Sequence, residues 1–199
     1  MSLGGTSLEV VDEFCYLGDM IGAGGGCENA IITRGSVAWG RFRKLLPILS
    51  SRHIPFTVRG RVFNACVRSA MLHGSETWGP KSKDQQRLHC NDRAMIRWIC
   101  GVKPQDNSSY EQLLSRLGLD DIASELSNRR LRWYGHVMRS SDCIHTVRDL
   151  VVTGVKTRGR PKKTWYECVK GDIRRRGLEK VDPLDRVSWR RGTRNRART

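Results

Sequence analysis

Three stretches of this 199-residue sequence carry side chains that could act on an anion or grip one. The first is Asp120-Asp121. Paired carboxylates are what a phosphoryl-transfer site uses to hold two divalent cations. This pair, however, follows Gly118-Leu119 and precedes a helical pattern, with no strand on either side. It therefore reads as a helix N-cap, where a carboxylate accepts from free N–H groups and meets the positive end of the helix dipole. The second stretch is Arg158-Gly-Arg-Pro-Lys-Lys163. An extended Arg-Gly-Arg-Pro can lie in a narrow A·T-rich minor groove, with both arginines in its negative potential. The same residues also suit a nuclear-import patch or a charged linker. The third is Arg129-Arg-Leu-Arg-Trp-Tyr-Gly-His-Val-Met-Arg139. On a helix, Leu126, Trp133 and Val137 fall near one face, and Leu131, Tyr134 and Met138 widen it. Arg129, Arg132, Arg139 and, at the margin, Arg130 line the rest. That row either follows a phosphate backbone or is a solvated face. Gly135 costs such a helix roughly 1 kcal/mol against Ala, which points to close approach by another helix or a phosphate. His136 reads as a packed, hydrogen-bonded histidine, because the sequence forces no Ser, Cys or carboxylate beside it.

The charge supports an anionic partner. The chain has 36 Lys and Arg against 20 Asp and Glu, a net charge of +16. Residues 125–199 hold 21 of those cations and 8 of the anions. So concentrated a surplus repels itself unless polyanions are near, which favours phosphate backbone over an anionic membrane. No segment approaches the roughly 20 apolar residues of a spanning helix, and the first residues lack a secretory signal pattern. Seven cysteines at irregular spacing form no C-x-x-C pair, so neither a disulfide framework nor a zinc finger is indicated. Reduced thiols in a nuclear or cytoplasmic protein fit better.

The elements that must position these residues are mostly helices. Leu8–Val11 and Phe14–Ile21 read as two short strands around Asp12-Glu13. After the Gly22–Gly26 breaker run, a helix is expected over Glu28–Leu49, ended or kinked by Pro47. A stripe at Val58, Val62, Ala65/Cys66, Ser69/Ala70 and His73 predicts a second helix starting near Pro55. Ser82-x-x-Gln85 and Ser108-x-x-Glu111 are capping-box patterns. They open helices to about Cys100, with Leu88, Met95, Ile96 and Ile99 inward, and to Gly118. Asp120/Asp121 caps a helix to about Arg139, and residues 143–152 form a further short candidate. Thr153–Lys163 reads as an extended linker. Thr164-x-x-Glu167 opens a helix to about Arg176, and Asp182-Pro183 another. The Arg-rich end from Trp189 is expected to fray.

Phe14-Cys-Tyr-Leu-Gly18 alone is an ordinary strand ending at a turn glycine. In context it resembles the F-x-Y-L-G primer grip of non-LTR (LINE-type) retrotransposon reverse transcriptases. The likeness continues in order. Val67–Gly74 with Glu76-Thr-Trp78 resembles the family's v-x-x-x-l-x-Y-G-x-E-x-W segment, with His73 where Tyr is usual. Asn91–Gly101 resembles its R-x-L-R-x-I-x-G helix. Arg129–Arg139 is very close to R-R-L-R-W-x-G-H-V-x-R, and Arg158–Pro161 with Thr164-Trp165 resembles G-R-P-x-x-x-W. The resemblance covers about residues 8–178. It implies a mainly α fold: a palm-edge β-hairpin (1–26), a thumb-like multi-helix bundle (27–152) and a basic linker, helix and tail (153–199). It further implies that Phe14, Tyr16, Leu17 and Gly18 contact nucleic acid, alongside Arg129, Arg130, Arg132, Arg139 and Arg158, Gly159, Arg160, Pro161, Lys162 and Lys163. The partner would be RNA–DNA hybrid or duplex DNA, together with an upstream polymerase palm; neither a membrane nor a small molecule is expected. The full-length family enzyme uses Mg²⁺. In that family the catalytic aspartate hairpin lies upstream of F-x-Y-L-G, so this chain is expected to hold no cofactor and not to polymerise alone. The runners-up are a non-enzymatic element-derived DNA- or RNA-binding protein and a relic without function.

Overall fold

In a computed structural model of the chain, the described residues are 2–3, 6–7, 9–16, 18–23, 25–103, 105–140 and 163–194. The fold is mainly α-helical with short β-hairpins at the start, as the sequence implies. Strands β1 (Ser2–Leu3) and β2 (Thr6–Ser7) pair antiparallel, as do β3 (Glu13–Tyr16) and β4 (Asp19–Gly22). The second hairpin corrects the expected one. The chain reverses between Tyr16 and Asp19, not at Asp12-Glu13, because these two residues pair and Gly18 supplies a φ of 78°.

Helix α1 (Glu28–Leu49) has the predicted bounds, and Pro47 sits in its last turn. Proline there removes a single backbone donor and does not stop the helix short. Helix α2 (Phe56–Val62) runs on through a π-helical stretch, Phe63–Arg68, into α3 (Ser69–Met71). Here the predicted stripe is offset. Ala65 and His73 are exposed, whereas Arg59, Gly60, Phe63, Val67, Arg68 and Met71 are buried. The π stretch turns the helix phase, and the buried face includes two arginines that a hydrophobic periodicity passes over. Arg59 donates to the carbonyls of Ile99 (2.9 Å) and Leu49 (3.4 Å), capping the C-terminal ends of two helices. Arg68 grips Asp92 with two bonds of 2.7 Å and donates to the Asp120 carbonyl at 2.6 Å. The Tyr110 hydroxyl donates to Asp92 at 2.6 Å. Burial and the Asp92 carboxylate together hold that phenol protonated well above its ordinary range.

A 3₁₀ turn (Ser75–Thr77) precedes α4 (Ser82–Cys100), α5 (Tyr110–Leu117) and α6 (Ile122–Arg139). Leu88, Met95, Ile96 and Ile99 face the core as predicted. Both N-terminal caps lie one residue off the predicted register, and only that of α5 is a full box. Asp84 accepts from the Lys81 N–H at the start of α4. Ser109 and Gln112 exchange the pair of bonds at α5. Helices α7 (Trp165–Arg176) and α8 (Arg186–Thr193) complete the described residues. The Thr164–Glu167 box forms as predicted. Helix α8 starts later than Asp182-Pro183 implies, because Asp185 is its cap. Over residues 189–194 the expected fraying is overturned, since Trp189 and Thr193 are buried; residues 195–199 lie outside the described residues. The short helix candidate at 143–152 lies outside the described residues.

Two cores result. The larger gathers α1 through the start of α6. The smaller joins Leu131 and Tyr134 of α6 to Val169, Leu178 and Trp189.

Candidate nucleic-acid interface

The β3–β4 hairpin is too short to stand alone. Helix α1 holds it. Asn29 donates to Glu13, and the Arg34 guanidinium donates to the Gly18 carbonyl. The register pairs Phe14 with Ile21, so Phe14, Tyr16 and Ile21 share the outer face. Phe14 and Tyr16 are each 56% exposed, their rings stacked with centroids 6.5 Å apart. Leu17 lies outside the described residues.

Helix α6 distributes its arginines differently from the sequence expectation. Asp121 caps it, accepting from the N–H groups of Ala123 (3.0 Å) and Ser124 (3.2 Å). Arg130, expected at the margin of a solvent-facing row, is buried. Its guanidinium meets Asp172 of α7 at 2.7 Å, with side-chain exposures of 2% and 0%. The reason is register: Arg130 falls one turn from Tyr134 on the stripe that packs against α7, and Asp172 compensates its charge. Arg129 donates to Glu125 at 3.0 Å and to the Leu72 carbonyl at 3.2 Å, and lies 3.9 Å from Glu76. Arg139 reaches the Pro183 carbonyl. Arg132 presents most of its side chain to solvent, 61%, with Glu125 at 3.6 Å. The basic block is thus largely a socket for its own C-terminal helices. Gly135 shows this most directly. A Cβ there would lie 2.4 Å from the Trp189 ring, and the Trp189 indole donates to the Leu131 carbonyl at 2.9 Å. Close approach by another helix explains the glycine. His136 is exposed, against the expectation of a packed histidine, and its ring lies beside Trp133 at 5.2 Å.

Three sequence-distant segments meet at one cleft of about 440 Å³, lined among others by Asp19, Gly26, Cys27, Trp78, Lys163 and Trp165. The Trp165 indole donates to the Glu76 carbonyl at 2.7 Å, and Gly79 leaves room for the backbone of Lys163–Trp165. The hairpin, the Glu76–Trp78 segment and the start of α7 are thereby brought together. Burial, with Asp84 nearby, pushes the Cys27 thiol up to about 11. It stays protonated at neutral pH and is a poor nucleophile. Lys163 is exposed at the cleft. Arg158, Gly159, Arg160, Pro161 and Lys162 lie outside the described residues.

Two exposed features have no counterpart in the sequence reading. Trp98 is largely exposed beside Arg93, Arg97 and Lys103. On α8, Arg186, Val187, Arg190, Arg191 and Arg194 line one shallow groove. The signal for the second was available: arginines at i, i+4 and i+8 beside a tryptophan one turn away.

Among the described residues no group of three or more His, Cys, Asp or Glu is arranged to hold a metal ion, and no helix is long and apolar enough to cross a membrane. The molecule is a helical scaffold carrying a short hairpin. No protein-family profile and no solved structure matches the chain. It is similar to a putative uncharacterized transposon-derived protein of Caenorhabditis elegans, 26% identical over 144 residues. The match covers 69% of this chain and 50% of that protein, so the chain spans about half the length of the curated relative it matches. The likeness points to a transposon origin.

Proposed function

We propose that this chain is the nucleic-acid-holding region that follows the catalytic palm of a non-LTR retrotransposon reverse transcriptase, and that it binds template–primer hybrid or duplex DNA. The observation that carries this reading is the convergence just described. Segments that resemble the family in order at residues 76–78 and 164–165 meet in space at one cleft, and strand β4, the partner of the strand that carries Phe14 and Tyr16, lines the same cleft. The aromatic face of the hairpin, Phe14, Tyr16 and Ile21, suits either the edge of a palm or a sugar–phosphate strand. Asp120-Asp121 does not suit a metal pair, because the Asp121 carboxylate is spent capping α6. The chain's own role is therefore binding and positioning. A second reading, a non-enzymatic element-derived DNA- or RNA-binding protein, draws on the transposon-derived relative. Both predict steep salt dependence, because each neutralised phosphate contributes about 0.9 to the log–log slope on duplex. The test is titration of a labelled primer–template hybrid across salt concentrations. A binding curve unchanged between low and moderate salt overturns the proposal.

A further inference from the structure

The surplus charge in the last 75 residues must be presented somewhere, and α6 takes its arginines inward or into ion pairs. Helix α8 does the opposite. Its inner face is fixed: Trp189 and Thr193 are buried, the Trp189 ring fills the notch at Gly135, and Leu178 packs close over Gly192. Its N-terminus is fixed by Asp185, which accepts from Val187 at 3.0 Å and Ser188 at 3.2 Å. On 3.6-residue periodicity, Arg186 and Arg190 then fall in one row, which Arg194 continues at the C-cap, with Arg191 and Val187 in the row beside it. All four arginines are exposed. Among the described residues, none of the four lies within ion-pair distance of a carboxylate. From Arg186 to Arg194 the row runs roughly 12 Å along the helix. Duplex nucleic acid carries about one negative charge per 1.7 Å of its axis, so such a row always faces several phosphates.

We infer that α8 is a docked phosphate-gripping helix, and that its arginine face, rather than the Arg129–Arg139 block, makes the main backbone contact of the C-terminal region with duplex nucleic acid. The inference rests on the nucleic-acid-binding reading and assigns it to a surface. An anionic bilayer is the less suitable occupant. A membrane-surface helix needs a free apolar face, and the apolar anchor of α8, Trp189, is already buried in protein. Val187 and Leu184 alone are exposed beside the arginines. Guanidinium groups suit phosphate oxygens through paired N–H donors. The contact reads backbone, not base sequence.

The test uses the full chain and three proteins: the unaltered chain, a variant with Arg186, Arg190, Arg191 and Arg194 changed to Gln, and a charge-matched control with Arg43, Lys44, Arg52 and Arg61 changed to Gln. All eight positions are exposed. Thermal midpoints show whether each variant keeps its fold. Binding is measured on a mixed-sequence DNA duplex over a salt series, and on phosphatidylserine vesicles. The α8 variant is expected to lose more than tenfold in duplex affinity at moderate salt, and its log–log slope to fall by about three to four at about 0.9 per lost phosphate contact. The control is expected to lose much less. Equal losses in the two variants overturn the inference and leave generic charge. So does an α8 variant that loses vesicle binding while duplex binding persists. An unaltered chain that binds no duplex at any salt overturns the nucleic-acid reading itself, a result distinct from either of these.

Discussion

Helices α6 and α8 are both rich in arginine, and they use it in opposite ways. On α6, Arg130 is buried against Asp172, Arg129 is tied to Glu125 and the Leu72 carbonyl, and Arg139 holds the Pro183 carbonyl. On α8, Arg186, Arg190, Arg191 and Arg194 stand in solvent. The difference lies in what shares each helix. Helix α6 has apolar residues at Ile122, Leu126, Leu131, Tyr134 and Val137, distributed over so wide an arc that neighbouring arginines are drawn into the packed zone. Helix α8 has one large apolar residue inside, Trp189, and its arginines fall beyond its arc. Arginine count therefore says little about what a helix binds. Position relative to the buried stripe decides it.

The comparison breaks most readily at Arg130. Changing it to Ala should cost about 3 kcal/mol of stability, because Asp172 would remain buried with its one buried partner gone and only the exposed Arg175 still pairing with it. Arg190→Ala should change stability by less than about 0.5 kcal/mol, as is usual for an exposed side chain. Urea unfolding of the two variants measures both. A near-equal midpoint would mean that the α6–α7 contact is looser than the 2.7 Å ion pair implies.

Glycines give the next effect. Gly135→Ala should destabilise by about 1–3 kcal/mol, because the added methyl meets the Trp189 ring. Gly171→Ala, inside α7 with nothing within 4 Å of its Cβ position, should stabilise by up to about 1 kcal/mol. The two substitutions are chemically identical, so opposite signs in thermal unfolding isolate the socket from helix propensity. Trp189→Phe is the gentler probe of the same socket. It keeps most of the apolar volume and removes the indole N–H bonded to the Leu131 carbonyl. A loss of about 1 kcal/mol is expected, with a smaller salt slope in duplex binding as α8 comes to dock less firmly. An unchanged slope would separate docking from grip.

Much of this arrangement is legible in the sequence. The bounds of α1, the inward face of α4, the Asp121 cap and the Thr164–Glu167 box follow from periodicity and side-chain hydrogen-bonding chemistry. These signals are local, and local signals survive in the fold. The misses share a cause. Arg59, Arg68 and Arg130 are buried because partners 40, 24 and 42 residues away satisfy them, and hydropathy cannot see a distant carboxylate or carbonyl. The π stretch at Phe63–Arg68 shifts a stripe that a 3.6-residue template places elsewhere. Trp189 falls in a stretch whose composition predicts fraying, because its Gly135 notch lies 54 residues back. Of the candidate site, the hairpin's aromatic face was legible from Phe14-Cys-Tyr. That Arg132 keeps its exposure while Arg129 and Arg130 do not was a matter of tertiary register.

The smallest expected effect concerns the third basic region, Arg158-Gly-Arg-Pro-Lys-Lys163, and asks whether charge here is read by shape or by count. Changing Arg158 and Arg160 to Ala removes two cations, half the number removed on α8. If those arginines act in a narrow minor groove, the loss should be larger on A·T-rich duplex than on G·C-rich duplex, since A·T tracts narrow the groove and deepen its negative potential. The difference between the two duplexes should stay under tenfold, about 1.4 kcal/mol, with the α8 face intact and still holding both. The α8 variant, in contrast, should lose affinity for the two duplexes equally, because backbone contacts carry no sequence information. Competition between the two duplexes at one salt concentration measures each ratio directly. Equal losses for Arg158/Arg160→Ala would reduce that segment to the same sequence-blind electrostatics as α8.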